Sequence, residues 1–426
     1  MGALIVVGMG LSGANAQDTE GAFKAALTYT VKIDMAVELP MHSEDEKGAF
    51  FGAGFLVDAG RGWFMTNVHV FSHSPARIRV SRRGVAGVPA RRIWLDPYLD
   101  LALIEVSDRK FLDGMTAAPL ECGELPTVGH PVGAFGHPWG LPWTGTRGII
   151  SGRAGPFEPG ALLTDAPINS GNSGGPLISL RTGKVVGINT AALVGEGIQN
   201  INFALAMKYA CRILRLRQEG RDPSPPSGLL VFVSGSDDNP LTVARNYLGS
   251  QYIPLHHGDI IQEVVGEPGP VATEAEFMDA LRGRLDAAEL GVERGDTERV
   301  LKGAFPPAEN LLQRKSVFAS GVVFVLRRSF DSQEVNIGDI ASCYVAPGSP
   351  GQSAGVHAGD TVESVNGRPM HELGEVYATL EQAHGNRRSV LVELKRLEGP
   401  KGRSFFSYFG VHLPIEGLRW VSVTDE

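Results

Sequence analysis

Two stretches in the second half of the chain repeat each other: GDIIQEVVGEP at 258–268 and GDTVESVNGRP at 359–369, both of the form G-D-x-[IV]-x-x-V-x-G-x-P. A recurring pattern of this kind marks one supersecondary unit used twice, which argues against a single large core for this half of the chain. Both copies continue alike. TEAEFMDALRG follows the first, with Thr273 and Glu276 spaced as a capping box, and GEVYATLEQAHG follows the second. AELGVE and SVLVEL then alternate as strands do. Upstream, SGLLVFV from Ser227 and SGVVFVL from Ser320 form a second matched pair, so each unit is a small β-rich domain with one helix.

The first half reads differently. From about Leu27 to Leu205 short apolar runs succeed one another, among them AFFGAGFLVD, WFMTNVHVF, LALIEV and GKVVGINTA, cut by Gly, Pro and Asp. Strands at such spacing predict an antiparallel sandwich or barrel. The helical pattern MKYACRILRLRQEG closes this half, and GRDPSPPSG reads as a linker. A chain of 426 residues with 54 glycines and 27 prolines is therefore expected to be mainly β and to hold two to four domains.

A net charge of −8 without a lysine or arginine run argues against nucleic acid as a partner. The cysteines, Cys122, Cys211 and Cys343, are far apart in sequence and form no CxxC pair, so neither a disulfide framework nor a zinc site is expected. The opening MGALIVVGMGLSGANAQ has the apolar run and the small-x-small Ala14-Asn15-Ala16 of an export signal, although its basic segment is missing. No other stretch approaches the length of a membrane span.

The chemistry concentrates in TDAPINSGNSGGPL, residues 164–177. A glycine-rich stretch is most often only a turn. A serine nucleophile needs a histidine to take its proton, a carboxylate to hold that histidine and amide donors for the oxyanion. His69 in MTNVHVF, Asp100 in DPYLDLALIEV and Ser173 fill these places, each within a strand pattern. The turn Gly171-Asn172-Ser173 supplies the amides, those of Gly171 and Ser173 foremost. Asp96 is the rival carboxylate, but its place before Pro97 indicates a turn. His130 and His137, in GHPVGAFGHPWG, read as surface-loop residues.

Phe51 to Leu205 resembles the chymotrypsin-fold serine proteases of the HtrA (Deg) type, through GAGFLVD, TNVHV, DLALIEV, TDAPINSGNSGGPL, GKVVGINTA and INFALA. The two repeats resemble PDZ domains, the second through APGSPGQSAGVHAGDTVESVNGRP, while the first is degenerate before its Gly-Asp. The resemblance implies a double β-barrel protease domain followed by two small α+β PDZ-like domains. The boundaries expected are a signal peptide at 1–16, a protease domain at 17–218, a linker at 219–227, PDZ-like units at 228–315 and 316–415, and a tail at 416–426. It implies His69 as general base, Asp100 as its orienting carboxylate and Ser173 as nucleophile. Ile168, Ala191 and Ala192 would line an apolar substrate pocket. Pro167 stands where a protease selective for basic residues usually keeps a carboxylate.

Carboxylate-binding loops are expected at Gly228-Leu229-Leu230 and Gly321-Val322-Val323, both lacking the usual second glycine. The implied protein is an exported, ATP-independent endopeptidase that acts on unfolded or damaged polypeptides and captures them or protein C-termini through its PDZ-like units. The resemblance further implies trimers, and no metal or organic cofactor. The rival reading is a PDZ-based peptide-binding protein or chaperone with a silent protease domain, against which an intact triad argues.

Overall fold

A computed structural model describes residues 16–42, 45–96, 98–154, 160–192, 201–227, 230–233, 240–327, 339–386, 389–399 and 405–425. Residues 1–15 of the expected signal segment, Gly228 and Leu229 lie outside the described residues. After α1 (Ala16–Ala26), strands β1 (Thr30–Val37), β2 (Gly48–Asp58), β3 (Trp63–Asn67), β4 (Ala76–Arg82), β5 (Val85–Pro89), β6 (Arg91–Asp96) and β7 (Leu101–Glu105) form a seven-stranded antiparallel sheet ordered β5-β4-β1-β2-β3-β7-β6. Burial follows pattern. β4, ARIRVSR, buries Ala76, Ile78 and Val80 and turns Arg77 and Arg79 outward, whereas β7 is apolar and buried from Leu101 to Ile104 because both its faces are covered. Between β3 and β4 sits the single turn α2 (Val68–Phe71), and α3 (Arg109–Leu112) follows β7.

The next six strands close on themselves: β8 (Pro131–Gly136), β9 (Thr144–Arg153), β10 (Ala161–Thr164), β11 (Pro176–Ser179), β12 (Val185–Ala192) and β13 (Asn202–Ala206) form a barrel ordered β10-β13-β12-β11-β8-β9. The helix α4 (Met207–Gln218) packs on it and buries Ala210, Ile213 and Leu214, as its spacing predicts. Cys211 of α4 is disulfide-bonded to Cys122, against the expectation that no disulfide framework forms. The partners are separated by 89 residues, and only the chain's return over the barrel brings their Cα atoms to 5.6 Å.

The two repeats share their wiring. In the first, β14 (Leu230–Val233), β15 (Thr242–Asn246), β16 (Ile260–Val264), β17 (Ala288–Arg294) and β18 (Thr297–Gly303) lie in that order, with α5 (Glu274–Leu281) against them. Thr273 caps α5 at the amide of Glu276, and Glu276 reaches back to the amide of Ala272. The second contains β19 (Lys315–Ala319), β20 (Val322–Leu326), β21 (Ile340–Val345), β22 (Thr361–Val365), β23 (Arg368–Pro369), β24 (Ser389–Glu398), β25 (Phe405–Pro414) and β26 (Arg419–Ser422), with α6 (Pro350–Ser353) and α7 (Leu373–Gly385). Its sheet runs β25-β24-β22-β21-β20-β19-β26, and β23 pairs with β22.

The Gly-Asp signature has one role in both repeats. Asp259 accepts the His256 amide and two bonds from Arg294, at 2.6 and 2.7 Å; Asp360 accepts the His357 amide and two bonds from Arg396, at 2.7 and 2.8 Å. Each aspartate thus ties the start of one strand to the strand beside it.

Two expectations fail in the second unit. The segment 416–426 is no tail, since β26 pairs with β19. Gly321-Val322-Val323 is no open carboxylate loop. Ser320 and Gly321, at φ of 57° and 83°, form a tight hairpin turn, and Val322 and Val323 are paired to β19 on one side and β21 on the other. A missing second glycine left a strand that its own chain could pair.

Candidate active site

The site lies between the two halves of the protease region. Asn67 ends β3 and, with extended backbone angles, stands at the N-cap position of α2, which lifts His69 out of the sheet, so His69 is helical, contrary to the strand reading. Asp100 sits just before β7 with φ of 49°, an unusual angle for a residue with a side chain. Neighbouring bonds hold it there. Its carbonyl accepts the Asn67 side-chain amide at 2.9 Å and the Val68 amide at 3.1 Å, and its Oδ1 accepts the His69 amide at 2.9 Å. Its Oδ2 lies 2.6 Å from His69 Nδ1. The side chains of His69 and Asp100 are 46% and 27% exposed, so the pair is open to an incoming substrate.

The Ser173 turn comes from the barrel but is wired to the first sheet. Ala53 of β2 donates to the Ser173 carbonyl at 2.9 Å, the Gly174 amide donates to the carbonyl of Asn189 on β12 at 2.8 Å, and the Asn189 amide donates to the Gly175 carbonyl at 2.9 Å. Gly174, at φ of 80°, lies so close to Thr66 and to the Ala53 carbonyl that a Cβ there would overlap both. Ser173 Oγ donates to the Thr190 carbonyl at 3.0 Å, and Thr190 Oγ1 lies 3.4 Å from the Asn67 amide nitrogen. Through Asn67 and Thr190 the serine and histidine segments are therefore neighbours. Sequence reasoning did not name Asn67 or Thr190; the one available signal was an asparagine before a short helical turn.

Gly171 has φ of 102° and abuts the His137 carbonyl, leaving no room for a side chain. Its own carbonyl accepts the His137 amide at 3.1 Å. Among the described residues, the amides of Gly171 and Ser173 carry no hydrogen bond. The Asn172 amide is committed to the Asn169 carbonyl at 2.9 Å, so Asn172 drops out as an oxyanion donor. Its buried side chain packs against Gly136 instead.

His137 is fully buried rather than on the surface, and Trp143 packs edge-on against it. Burial pushes its pKa down to about 4, which keeps the ring neutral behind the Gly171 turn. Asp96 does shape a turn, accepting the amides of Tyr98 and Leu99 at 3.0 and 2.9 Å. It is also wholly buried against Arg282 of the first repeat, which the sequence did not disclose. Ile168 is buried and its amide donates to Asn202 Oδ1 at 3.4 Å; Ala191 and Ala192 lie on β12, and Pro167 is exposed.

A histidine held at Nδ1 by a carboxylate, next to a serine turn with unpaired amides, is the arrangement of a serine hydrolase, and its place between an antiparallel sheet and a closed β-barrel is that of the trypsin-like serine peptidases. Residues 52–188 match the family "Trypsin-like peptidase domain" and residues 342–394 match "PDZ domain". The chain is 26% identical over 364 residues to "Periplasmic serine endoprotease DegP" of Escherichia coli (strain K12), covering 79% of this chain and 73% of that protein. It is 29% identical over 393 residues to "Probable periplasmic serine endoprotease DegP-like" of Chlamydia muridarum, covering 83% and 75%. The structure "HtrA-type protease AlgW with tripeptide" matches in fold with a TM-score of 0.54 at 23% identity, over 68% of this chain and 97% of that one. Within the trypsin-like class the chain is a serine endopeptidase of the HtrA/Deg type with a C-terminal PDZ domain.

Proposed function

We propose that His69, Asp100 and Ser173 act as one catalytic unit that hydrolyses peptide bonds in unfolded or damaged proteins. The observation that carries this reading is the 2.6 Å contact between His69 Nδ1 and Asp100 Oδ2 beside the Ser173 turn. Asp100 holds the Nδ1 proton, which leaves Nε2 as the base. Ser173 Oγ turns from the Thr190 carbonyl to His69, gives up its proton and attacks the scissile carbonyl. The oxyanion falls to the amides of Gly171 and Ser173, His69 protonates the leaving amine, and water then clears the acyl-serine by the same route. Ile168, Ala191 and Ala192 form an apolar primary pocket, a reading supported by Pro167 where an acidic residue would favour basic substrates.

The boundaries proposed are 17–218 for the protease domain and 228–315 and 316–415 for the PDZ-like units, with β26 joined to the second. Peptide capture is assigned to the first unit. Among the described residues β14 pairs only with β15, so its outer edge can accept an extended chain or protein C-terminus. Export to the periplasm is supported by relatives named as periplasmic and by the disulfide, a bond that persists in oxidising compartments. A homotrimer is proposed on the family resemblance.

The test is casein cleavage by wild type and Ser173→Ala, with mass spectrometry of the fragments. Serine-dependent cleavage with apolar residues before the cut is expected. If both proteins are inert, even with added C-terminal peptides, yet both suppress aggregation, the peptide-binding reading replaces this one.

A further inference from the structure

Arg92, on β6, bonds to two parts of the chain far apart in sequence. Its guanidinium donates to the carbonyls of Phe71 and Ser74, the latter at 2.9 Å, and to the carbonyl of Val423 at 2.9 Å. Phe71 is the last residue of α2, the turn that carries His69, and Ser72 beyond it has φ of 59°. A single helical turn does not sustain itself, so its position depends on what binds its ends. Asp100 holds the first end through the Val68 amide, and Arg92 holds the last.

Val423 directly follows β26. That strand is added to the edge of β19 in the register Lys315↔Ser422 to Phe318↔Arg419, outside the residues that match the PDZ family. Val421 and Val423 are buried in the same core that Val68, Val70 and Phe71 enter. The Val423 amide donates to the Arg314 carbonyl at 3.3 Å, Arg419 stacks over Phe318, and Trp420 stacks on Tyr377. The strand is therefore anchored to the second repeat along its length while the Val423 carbonyl, one residue beyond it, reaches the protease.

We infer that β26 and Arg92 form a strap from the second repeat to the His69 turn, with Arg92 a positioning residue for the hydrolysis. The strand fixes the guanidinium, the guanidinium fixes the end of α2, and His69 is thereby held against Asp100. The inference rests on the endopeptidase reading for its effect on rate, though its structural half can be measured without activity.

The experiment compares wild type, Arg92→Ala, Arg92→Lys and Val421→Asp in the full chain. It records hydrogen exchange at 68–74, kcat and KM on a fluorogenic casein peptide, and the number of reactive serines titrated with a fluorophosphonate. Arg92→Ala should raise exchange at 68–74 and lower kcat per titrated serine roughly tenfold to a hundredfold, the cost of a catalytic group displaced by about 1 Å, with KM nearly unchanged. The acid limb of its kcat/KM profile should shift, Arg92→Lys should restore part of the rate, and Val421→Asp should reproduce the loss. Unchanged exchange at 68–74 would overturn the inference, as would a rate loss explained wholly by fewer reactive serines. If the wild type shows no serine-dependent cleavage while exchange still rises in Arg92→Ala, the endopeptidase reading fails and the strap stands.

Discussion

Replacing Arg282 with methionine leaves Asp96 buried without a cation. Both side chains are fully inaccessible, with Arg282 Nη1 2.5 Å from Asp96 Oδ2 and Nη2 3.3 Å from Oδ1. The amides of Tyr98 and Leu99 still bind Asp96, but they do not neutralise it. Removing one partner of such a buried pair costs about 3–5 kcal/mol. At ~2–4 °C per kcal/mol for a domain of this size, the calorimetric melting temperature of Arg282→Met should fall by roughly 6–20 °C. A second substitution separates charge from packing. Asp96→Asn in the same background removes the buried charge and keeps Oδ1 as acceptor, so the double variant should regain more than half of the loss. Since the turn from Asp96 leads directly into Asp100, kcat of the single variant should fall while KM changes less. A double variant that melts no higher than Arg282→Met would show that lost packing, not an unpaired charge, carries the cost, and the reasoning would be refuted.

Asp100→Asn keeps the shape of the site but loses the carboxylate that holds His69, and kcat should drop about 10³–10⁴-fold in the casein peptide assay with fold retained by circular dichroism. Gly171→Ala would force a side chain onto the His137 carbonyl at φ of 102°; kcat should fall roughly 10²–10³-fold, and fluorophosphonate labelling of Ser173 should slow with it. Asp279 has its pKa raised by burial to about 6, so its ionised form costs stability. That cost is absent below the ordinary value near 3.8, grows as pH rises toward 6 and is complete above it. Melting scans should therefore show Asp279→Asn gaining on wild type between pH 4 and 7 and holding a constant lead above that range. Reducing Cys122–Cys211 opens a loop closed across 89 residues and should cost about 4.6 kcal/mol, read as an earlier urea midpoint in dithiothreitol than with the disulfide intact.

What the sequence disclosed was what period and local chemistry encode. His69, Asp100 and Ser173 each stand in a short pattern with its own physical reason, and the structure brings the first two into contact where those patterns put them. The Gly-Asp repeats were visible because the same aspartate-to-arginine tie recurs in both units. Pairings set by the return of the chain were not visible. Cys122 meets Cys211 only because α4 folds back over the barrel, and Asp96 meets Arg282 only because the first repeat docks on β6. His137 was misplaced for a related reason: its Gly- and Pro-rich surroundings signal a loop, but not a loop buried beneath the serine turn.

The two repeats separate these levels most sharply. The second is the copy whose sequence resembles a PDZ domain more closely, yet the strand that would receive a peptide, β20, already has β19 on that edge, and β26 covers β19 in turn. The first copy is the degenerate one, and its corresponding strand, β14, is paired on one side among the described residues. Resemblance records which residues build the unit; whether its edge is open depends on segments outside the shared pattern. Here those segments are 315–319 and 419–422, and they occupy the sheet edge that an incoming chain would use. It follows that filling the β14 edge by Val231→Pro should weaken binding of C-terminal peptides, because proline removes a strand donor, whereas Val323→Pro should lower stability. Fluorescence anisotropy of a labelled peptide and a melting scan of each variant would distinguish them, and loss of peptide binding in the folded Val323→Pro protein would reverse this assignment.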